Sequence, residues 1–175
     1  MKIRLPLLLT AGIVAFSAFY ITTSQALDAS PAVTVTSIDG QQFELARTTG
    51  KIRLVTFYST DCPICQRDIP DLNHAHQHFN KDQFDIIAVA MPYDHAYDVA
   101  RMHESGSMDY SLAHDHDGQI SAAFPNVRFT PTTFLIDNYG KIVWRHVGRL
   151  RHTVLNQRIK ALIEPEQLAN KSIEQ

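Results

Sequence analysis

Two cysteines separated by two residues, Cys62 and Cys65, are the only cysteines of this 175-residue chain. Residues 52–58 are an apolar and β-branched run typical of a strand covered on both faces, and a short polar turn connects this run to the cysteines. After them the apolar residues recur at helical spacing. Two intervening residues allow a reversible disulfide that closes one helical turn. At a helix start, unpaired backbone N–H groups and the helix dipole stabilise a thiolate. The pattern therefore predicts a strand, a tight turn and a helix built around a reactive sulfur pair.

A pair of cysteines at this spacing can also be half of a zinc site or a structural disulfide. Tetrahedral zinc needs two further ligands at suitable spacing, and the chain has no second cysteine pair. A structural disulfide is disfavoured because so short a loop constrains the unfolded chain very little. The spacing therefore favours redox chemistry. We predict no bound metal and no cofactor.

The amino terminus has the pattern of an export signal. Residues 1–4 carry two positive charges, and a long uncharged, mainly apolar stretch follows. Ser24-Gln25-Ala26 has small side chains where a signal peptidase prefers them. The stretch also reaches the length of about 20 residues that one tilted membrane helix needs. Segment 1–26 is therefore predicted to be a cleaved signal peptide or a membrane anchor through 5–23. Either alternative predicts the periplasm, or the extracytoplasmic face of the inner membrane, for the remainder.

Charge and length limit the partners and the number of domains. The formal net charge is −2, and it becomes −4 once Lys2 and Arg4 are removed with the amino-terminal segment. A mildly acidic globule has no electrostatic footprint for nucleic acid, so no nucleic-acid partner is predicted. The remaining length suffices for one domain with a real core. We predict that domain over 27–165 and a polar, disordered tail over 166–175.

Hydrophobic periodicity predicts alternating strands and helices. The predicted strands are 33–37, 42–45, 52–58, 84–90, 110–113, 133–137 and 141–147. The predicted helices are 62–79, 94–104, 119–124 and 151–164, the last ending at Pro165. One stripe of the first helix is formed by Cys65, Ile69, Leu72, His76 and Phe79. Pro70 should kink that helix, because proline cannot donate the interior hydrogen bond. This order predicts an α/β three-layer sandwich around a mixed sheet, with an amino-terminal β-hairpin.

Several motifs occur together. The sequence FYSTDCPIC fills 57–65, Pro70 stands five residues after the second cysteine, TPTTFLID fills 130–137, and GKIV fills 140–143. In this combination the chain resembles the thioredoxin superfamily. Within it, the chain is most similar to the exported TlpA/ResA/DsbE-like thiol-disulfide oxidoreductases, over about 33–163. The resemblance implies a thioredoxin-like fold with a helical insertion before Tyr110.

The resemblance also implies a site and a mechanism. The Thr130–Pro131 bond would be cis, with Thr130 facing the cysteines, so these two residues are predicted to contact the substrate. Cys62, as a thiolate, would attack a disulfide of a partner protein, and Cys65 would resolve the mixed disulfide. The reverse sequence would oxidise a dithiol. We predict reduction of protein disulfides, with a membrane or periplasmic thiol donor that recharges the pair.

Three residues depart from the family's pattern. Asp61 stands where tryptophan is usual, Thr56 where ordinary thioredoxins have a buried acid, and Thr132 where the cytochrome-maturation branch has glutamate. Asp61 and Pro63, on either side of Cys62, are predicted to modulate the pair. A carboxylate beside the thiol should raise the thiol pKa and make the pair a better reductant. The alternative is that Asp61 only caps the helix.

The histidines suggest an alternative from another functional class. On a helix, His76 would point with the apolar stripe, while His74 and His78 would face the other way as solvated residues. An exported copper-delivery protein of thioredoxin fold is the main alternative, but such proteins space their cysteines by three residues and add a histidine ligand. His146, on a predicted strand, is interpreted as structural. A peroxiredoxin would need a Pro-x-x-x-Thr-x-x-Cys pattern, which is missing before Cys62, and a purely binding domain would not need the intact pair.

Overall fold

The computed structural model describes residues 29–46 and 50–171, with side chains in these ranges as far as Glu164. Segment 1–26, predicted to be a signal peptide or a membrane anchor, lies outside the described residues. Within the described ranges, no helix combines the length and the apolar character that crossing a membrane requires.

Strands and helices alternate along the described chain. The strands are β1 (Thr34–Thr36), β2 (Gln42–Glu44), β3 (Ile52–Tyr58), β4 (Phe84–Ala90), β5 (Ser111–His114), β6 (Thr132–Ile136) and β7 (Ile142–Val147). The helices are α1 (Pro63–His78), α2 (Ala96–Glu104), α3 (Gln119–Ala123) and α4 (His152–Lys171). The predicted order of elements is confirmed, and β3 and β4 have the predicted bounds.

Five strands form one mixed sheet in the order β5-β4-β3-β6-β7. The pairs β3–β4 and β4–β5 are parallel, whereas β3–β6 and β6–β7 are antiparallel. Strands β1 and β2 form a separate antiparallel hairpin. The Ile38 N–H donates to the Leu112 carbonyl at 2.7 Å and ties this hairpin to β5. The predicted α/β class, the central mixed sheet, the hairpin and the helix inserted before β5 are all confirmed.

Strand β3 is buried along its whole length because both faces of the sheet are covered. Successive side chains of a strand point to opposite faces. Leu54 and Tyr58 therefore pack into one core with residues of α1, α2 and α4. Val55 and Phe57 pack into a second core with the hairpin and with Phe124, which follows α3. The two cores thus fix the carboxyl end of β3, and the turn that leads to the cysteines begins there.

Helix α1 starts and ends within one residue of the prediction. Its N-cap is Cys62 and its C-cap is Phe79. Pro70 lies inside the helix, and the kink expected there stays a prediction. The buried face differs from the predicted stripe, because Ile69 is only half-buried and two other residues join it. The buried residues of α1 are Cys65, Asp68, Leu72, Ala75 and His76.

The prediction that the last helix ends at Pro165 is wrong. Helix α4 continues through this proline to Lys171, so the tail predicted over 166–175 begins inside the helix. Proline removes one backbone donor and crowds the preceding turn, which disfavours a helix interior without forbidding it. A stop signal from one residue is therefore weaker evidence than a stop signal supported by glycine or by a capping motif.

Candidate active site

The two cysteines lie where β3 ends and α1 begins, joined as a disulfide with Cα atoms 5.2 Å apart. A tight turn delivers them, in which the Cys62 N–H donates to the Ser59 carbonyl at 3.1 Å. The Cys62 Sγ in turn accepts the Cys65 N–H at 3.2 Å, so the sulfur itself caps the helix. A sulfur at this position receives one of the unpaired N–H groups of the first turn and sits at the positive end of the helix dipole. Both effects favour a thiolate once the disulfide opens.

The two sulfur atoms differ in accessibility. Cys65 is 5% exposed, whereas Cys62 is only partly buried. The loop before β6 forms the opposite wall, and its Thr130–Pro131 peptide bond is cis, as the resemblance implies. The Cys62 Sγ lies 3.7 Å from the Thr130 carbonyl oxygen, and Pro131 borders the cavity behind Cys65. The structure therefore brings the four predicted residues, two cysteines and two loop residues, into one site.

The residues on either side of Cys62 are both exposed. Pro63 is the first residue of α1, where the missing N–H of proline removes no helical hydrogen bond. Asp61 lies in the turn, and its backbone N–H is 3.4 Å from the Ser59 Oγ. The N-cap position belongs to Cys62, so the alternative interpretation of Asp61 as the helix cap is wrong. The electrostatic interpretation of Asp61 stays a prediction.

A buried acid that the sequence analysis missed lies one helical turn beyond the second cysteine. Asp68 is 2% exposed and lines a small cavity together with Cys65 and Tyr58. One carboxylate oxygen accepts the Arg149 Nε–H at 3.1 Å, and the other accepts the Leu150 N–H at 3.1 Å. These contacts hold the carboxyl group in place while it borders the space behind the inner sulfur.

Burial raises the pKa of Asp68, and this effect outweighs the opposing influence of the Leu150 N–H and of the Arg149 guanidinium. Burial also raises the pKa of Tyr58 and of Tyr110, which line the same cavity. The Tyr58 hydroxyl has no hydrogen-bond partner in the described part of the chain. The cavity therefore contains two neutral phenols and one carboxyl group with an enhanced affinity for a proton. Among these groups Asp68 is the one suited to accept a proton from Cys65.

On β3, Thr56 fills the position where ordinary thioredoxins have a buried acid. Its side chain is buried and shares a 3.0 Å hydrogen bond with the Thr133 hydroxyl across β3 and β6. A threonine hydroxyl does not ionise in the accessible pH range, so Thr56 cannot relay a proton. Asp68 follows Cys65 by three residues, a spacing that puts two helical side chains on the same face. That spacing is the sequence signal for Asp68, and it lies on α1 and not on β3.

The histidines divide as the helical spacing predicts. On α1, His76 is buried and burial lowers its pKa, whereas His74 and His78 are exposed with stacked rings 5.7 Å apart. On β7, His146 stacks on Trp144 and its Nε2 lies 3.0 Å from the Arg149 carbonyl oxygen. Within the described ranges, no group of three histidine, cysteine or acidic residues could hold a metal ion. Nothing in this part of the chain supports the copper-delivery alternative.

The chain matches the AhpC/TSA family over residues 26–145. It is 27% identical over 157 residues to the thiol-disulfide oxidoreductase ResA of Halalkalibacterium halodurans. This alignment covers 89% of this chain and 88% of the relative. It is 26% identical over 136 residues to ResA of Bacillus subtilis, with 78% and 74% covered.

Two solved structures show the same fold. A thiol:disulfide interchange protein of the thioredoxin family from Chlorobium tepidum superposes with a TM-score of 0.70 at 21% identity, covering 80% of this chain and 99% of that chain. StoA from Bacillus subtilis superposes with a TM-score of 0.64 at 18% identity, covering 74% and 98%. The chain therefore has a thioredoxin-like fold, as the motifs implied.

Proposed function

Because the chain belongs to the AhpC/TSA family of thioredoxin-fold proteins, we propose that it reduces disulfides of partner proteins outside the cytoplasm. It is a thiol-disulfide oxidoreductase, and Cys62 and Cys65 are its redox pair in this proposal. One observation carries the proposal: a partly exposed sulfur caps α1 beside the cis-proline loop, and its partner sulfur is buried one turn further in. In this arrangement the Cys62 sulfur can reach a substrate disulfide, and the Cys65 sulfur can reach only the mixed disulfide at Cys62.

The exchange is a sequence of two displacements. In the reduced protein, the Cys62 thiolate attacks one sulfur of a substrate disulfide, and the other substrate sulfur leaves as a thiolate that takes a proton from solvent. The Cys65 thiol then passes its proton to the Asp68 carboxylate, and the resulting thiolate attacks the Cys62 sulfur of the mixed disulfide. The second substrate sulfur leaves, and the Cys62–Cys65 disulfide is complete. Two electrons have moved from the pair to the substrate, and a thiol donor of the cell envelope would return them.

The reductase direction rests on charge near the nucleophile. Asp61 is exposed directly beside Cys62, and its carboxylate disfavours a second negative charge on the neighbouring sulfur. A reduced form that is destabilised in this way gives up its electrons more readily, which is the reverse of the logic of a strong oxidant. The helix dipole acts in the opposite sense. The balance of the two effects sets the potential, and the potential can be measured.

We expect the reduction potential of the pair to lie closer to that of thioredoxin, about −270 mV, than to that of DsbA, about −120 mV. Asp61→Asn removes the charge and should make the potential less negative, because the thiolate is then favoured. Equilibration with dithiothreitol or glutathione, followed by alkylation and mass measurement, gives both values. Asp82→Asn, which removes an exposed acid in the turn that follows α1, is the matched control. A wild-type potential near the DsbA value would establish an oxidase and end the reductase proposal.

The extracytoplasmic location rests on the charge and hydropathy pattern of residues 1–26. A reporter enzyme that is active only outside the cytoplasm, fused after Gln175, is expected to be active. The size of the fusion on a blot then separates cleavage after Ala26 from retention as an anchor. Deleting 1–26 should abolish the reporter signal. Activity of a cytoplasm-specific reporter, together with silence of the external one, would contradict the proposed location and the envelope thiol donor.

A further inference from the structure

Asp94 ties the turn that carries the nucleophile to the end of the neighbouring strand. Its side chain is 8% exposed and lies in the connection between β4 and α2. One carboxylate oxygen accepts the Ser59 hydroxyl at 2.8 Å, the Thr60 N–H at 2.9 Å and the Thr60 hydroxyl at 2.7 Å. The other oxygen accepts the Met91 N–H at 3.0 Å. One carboxylate therefore joins two segments that are more than thirty residues apart in the chain.

The two residues that Asp94 holds on this turn also position the nucleophilic sulfur. The Ser59 carbonyl accepts the Cys62 N–H at 3.1 Å. The Thr60 carbonyl accepts the Gln66 side-chain amide at 2.9 Å, which links the turn to the first turn of α1. The backbone of the whole turn is thus bonded on one side to the helix and on the other side to Asp94. Removal of the carboxylate would release the second of these attachments.

The charge of Asp94 acts in the same direction as its hydrogen bonds. All four of its donors are uncharged, two hydroxyls and two backbone N–H groups. The Asp94 carboxylate therefore brings a negative charge to the turn that carries Cys62, with no cation among its hydrogen-bond partners. Such a charge disfavours a thiolate there and so destabilises the reduced state. Fixing the turn keeps the two sulfurs at bonding distance, which raises their effective concentration and favours the disulfide.

We propose that Asp94 is a positioning residue of the thiol-disulfide exchange, which holds Cys62 in the geometry for disulfide formation and makes the pair a stronger reductant. The inference rests on the proposed exchange at Cys62 and Cys65, and it names a residue that touches neither sulfur. Loss of order in the turn and loss of the buried charge both shift the equilibrium toward the reduced dithiol. The two contributions therefore add and do not cancel.

The chain offers a matched control at the next strand. Asp115 follows β5 as Asp94 follows β4, and it is fully buried. Its carboxylate accepts the Ile120 N–H and the Ser121 N–H, both at 2.8 Å, and so serves the start of α3. Asp115→Asn removes a buried carboxylate with backbone partners but makes no contact with the turn before Cys62. A purely structural effect should appear equally in both variants.

The test is the equilibrium constant of the Cys62–Cys65 pair with reduced and oxidised glutathione, read by alkylation and mass measurement on the folded protein. Asp94→Asn is expected to shift this constant toward the dithiol by about fivefold or more, on the scale of a lost charge-assisted contact. Asp115→Asn is expected to leave the constant unchanged, although both variants lower the melting temperature. Thr60→Val, which removes only one of the donors to Asp94, should shift the constant in the same direction by a smaller factor.

The outcomes separate this inference from the proposed function. If the wild-type pair does not equilibrate with glutathione, the exchange itself is contradicted and the inference falls with it. If the pair equilibrates but Asp94→Asn behaves like Asp115→Asn, the inference alone is overturned. If Asp94→Asn does not fold, Thr60→Val decides, because an unchanged constant in that variant also overturns the inference.

Discussion

Replacing Cys65 with serine is expected to trap the protein on its partners as mixed disulfides joined through Cys62. The partly exposed Cys62 sulfur can still attack, but the buried sulfur that releases the partner is gone. Serine does not displace a sulfur under these conditions, so the covalent complex accumulates. Turnover should fall about a thousandfold or more, the scale on which loss of an essential nucleophile acts. Non-reducing gels and mass measurement of tryptic peptides identify the linked residue.

Cys62→Ser is the matched variant for this experiment. It should lose turnover to the same extent without capturing partners, because Cys65 is buried beside the small cavity that Pro131 also borders. Both variants should fold, since each removes only one sulfur from a helix that is held by its packing against the sheet. Capture by Cys62→Ser and its absence in Cys65→Ser would reverse the roles of the two cysteines.

The sequence predicted best the elements whose signal is local. Strands β3 and β4 are buried on both faces, so each is an unbroken apolar run, and the predicted bounds match the structure. The start of α1 was also local, because a turn, a cysteine and a proline at the first helical position leave little choice. The prediction of a cis bond before Pro131 rested on the resemblance to a family and not on residue spacing. It is present in the structure.

The features that the sequence missed depend on contacts between distant segments. Asp68 meets Arg149 and Leu150, which are 81 and 82 residues further along the chain, so a pattern within α1 shows only a polar residue on a mixed helix. Asp94 meets Ser59 across 35 residues in the same way. The end of α4 differs from the prediction for another reason, because a single proline inside a helix does not by itself end the helix. Periodicity reports which face is buried, but it does not report which polar groups the fold brings together.

Asp68→Asn is expected to slow the resolution of the mixed disulfide by about a hundredfold, at the lower end of what general acid–base catalysis contributes. A buried thiol is difficult to ionise, and the Asp68 carboxylate is the acceptor that lines the same cavity. Asparagine keeps the shape and can still accept the Leu150 N–H, but it cannot take a proton. Stopped-flow release of a chromogenic thiol measures the step. The defect should shrink at high pH, where hydroxide replaces the missing base.

Asp71→Asn is the control, because Asp71 lies on the same helix and contacts the same Arg149 at 3.4 Å but does not border the cavity.

The pH dependence of stability gives a second readout. Burial raises the pKa of Asp68 above its ordinary value of 3.8. The contribution of this raised pKa to the free energy of unfolding is therefore complete below pH 3.8 and is lost as the pH rises through the raised pKa. The asparagine of Asp68→Asn stays neutral at every pH. The melting temperature of this variant should therefore rise relative to that of the wild type as the pH increases through the raised pKa. Equal rates of resolution in Asp68→Asn and Asp71→Asn would show that Cys65 loses its proton to another acceptor.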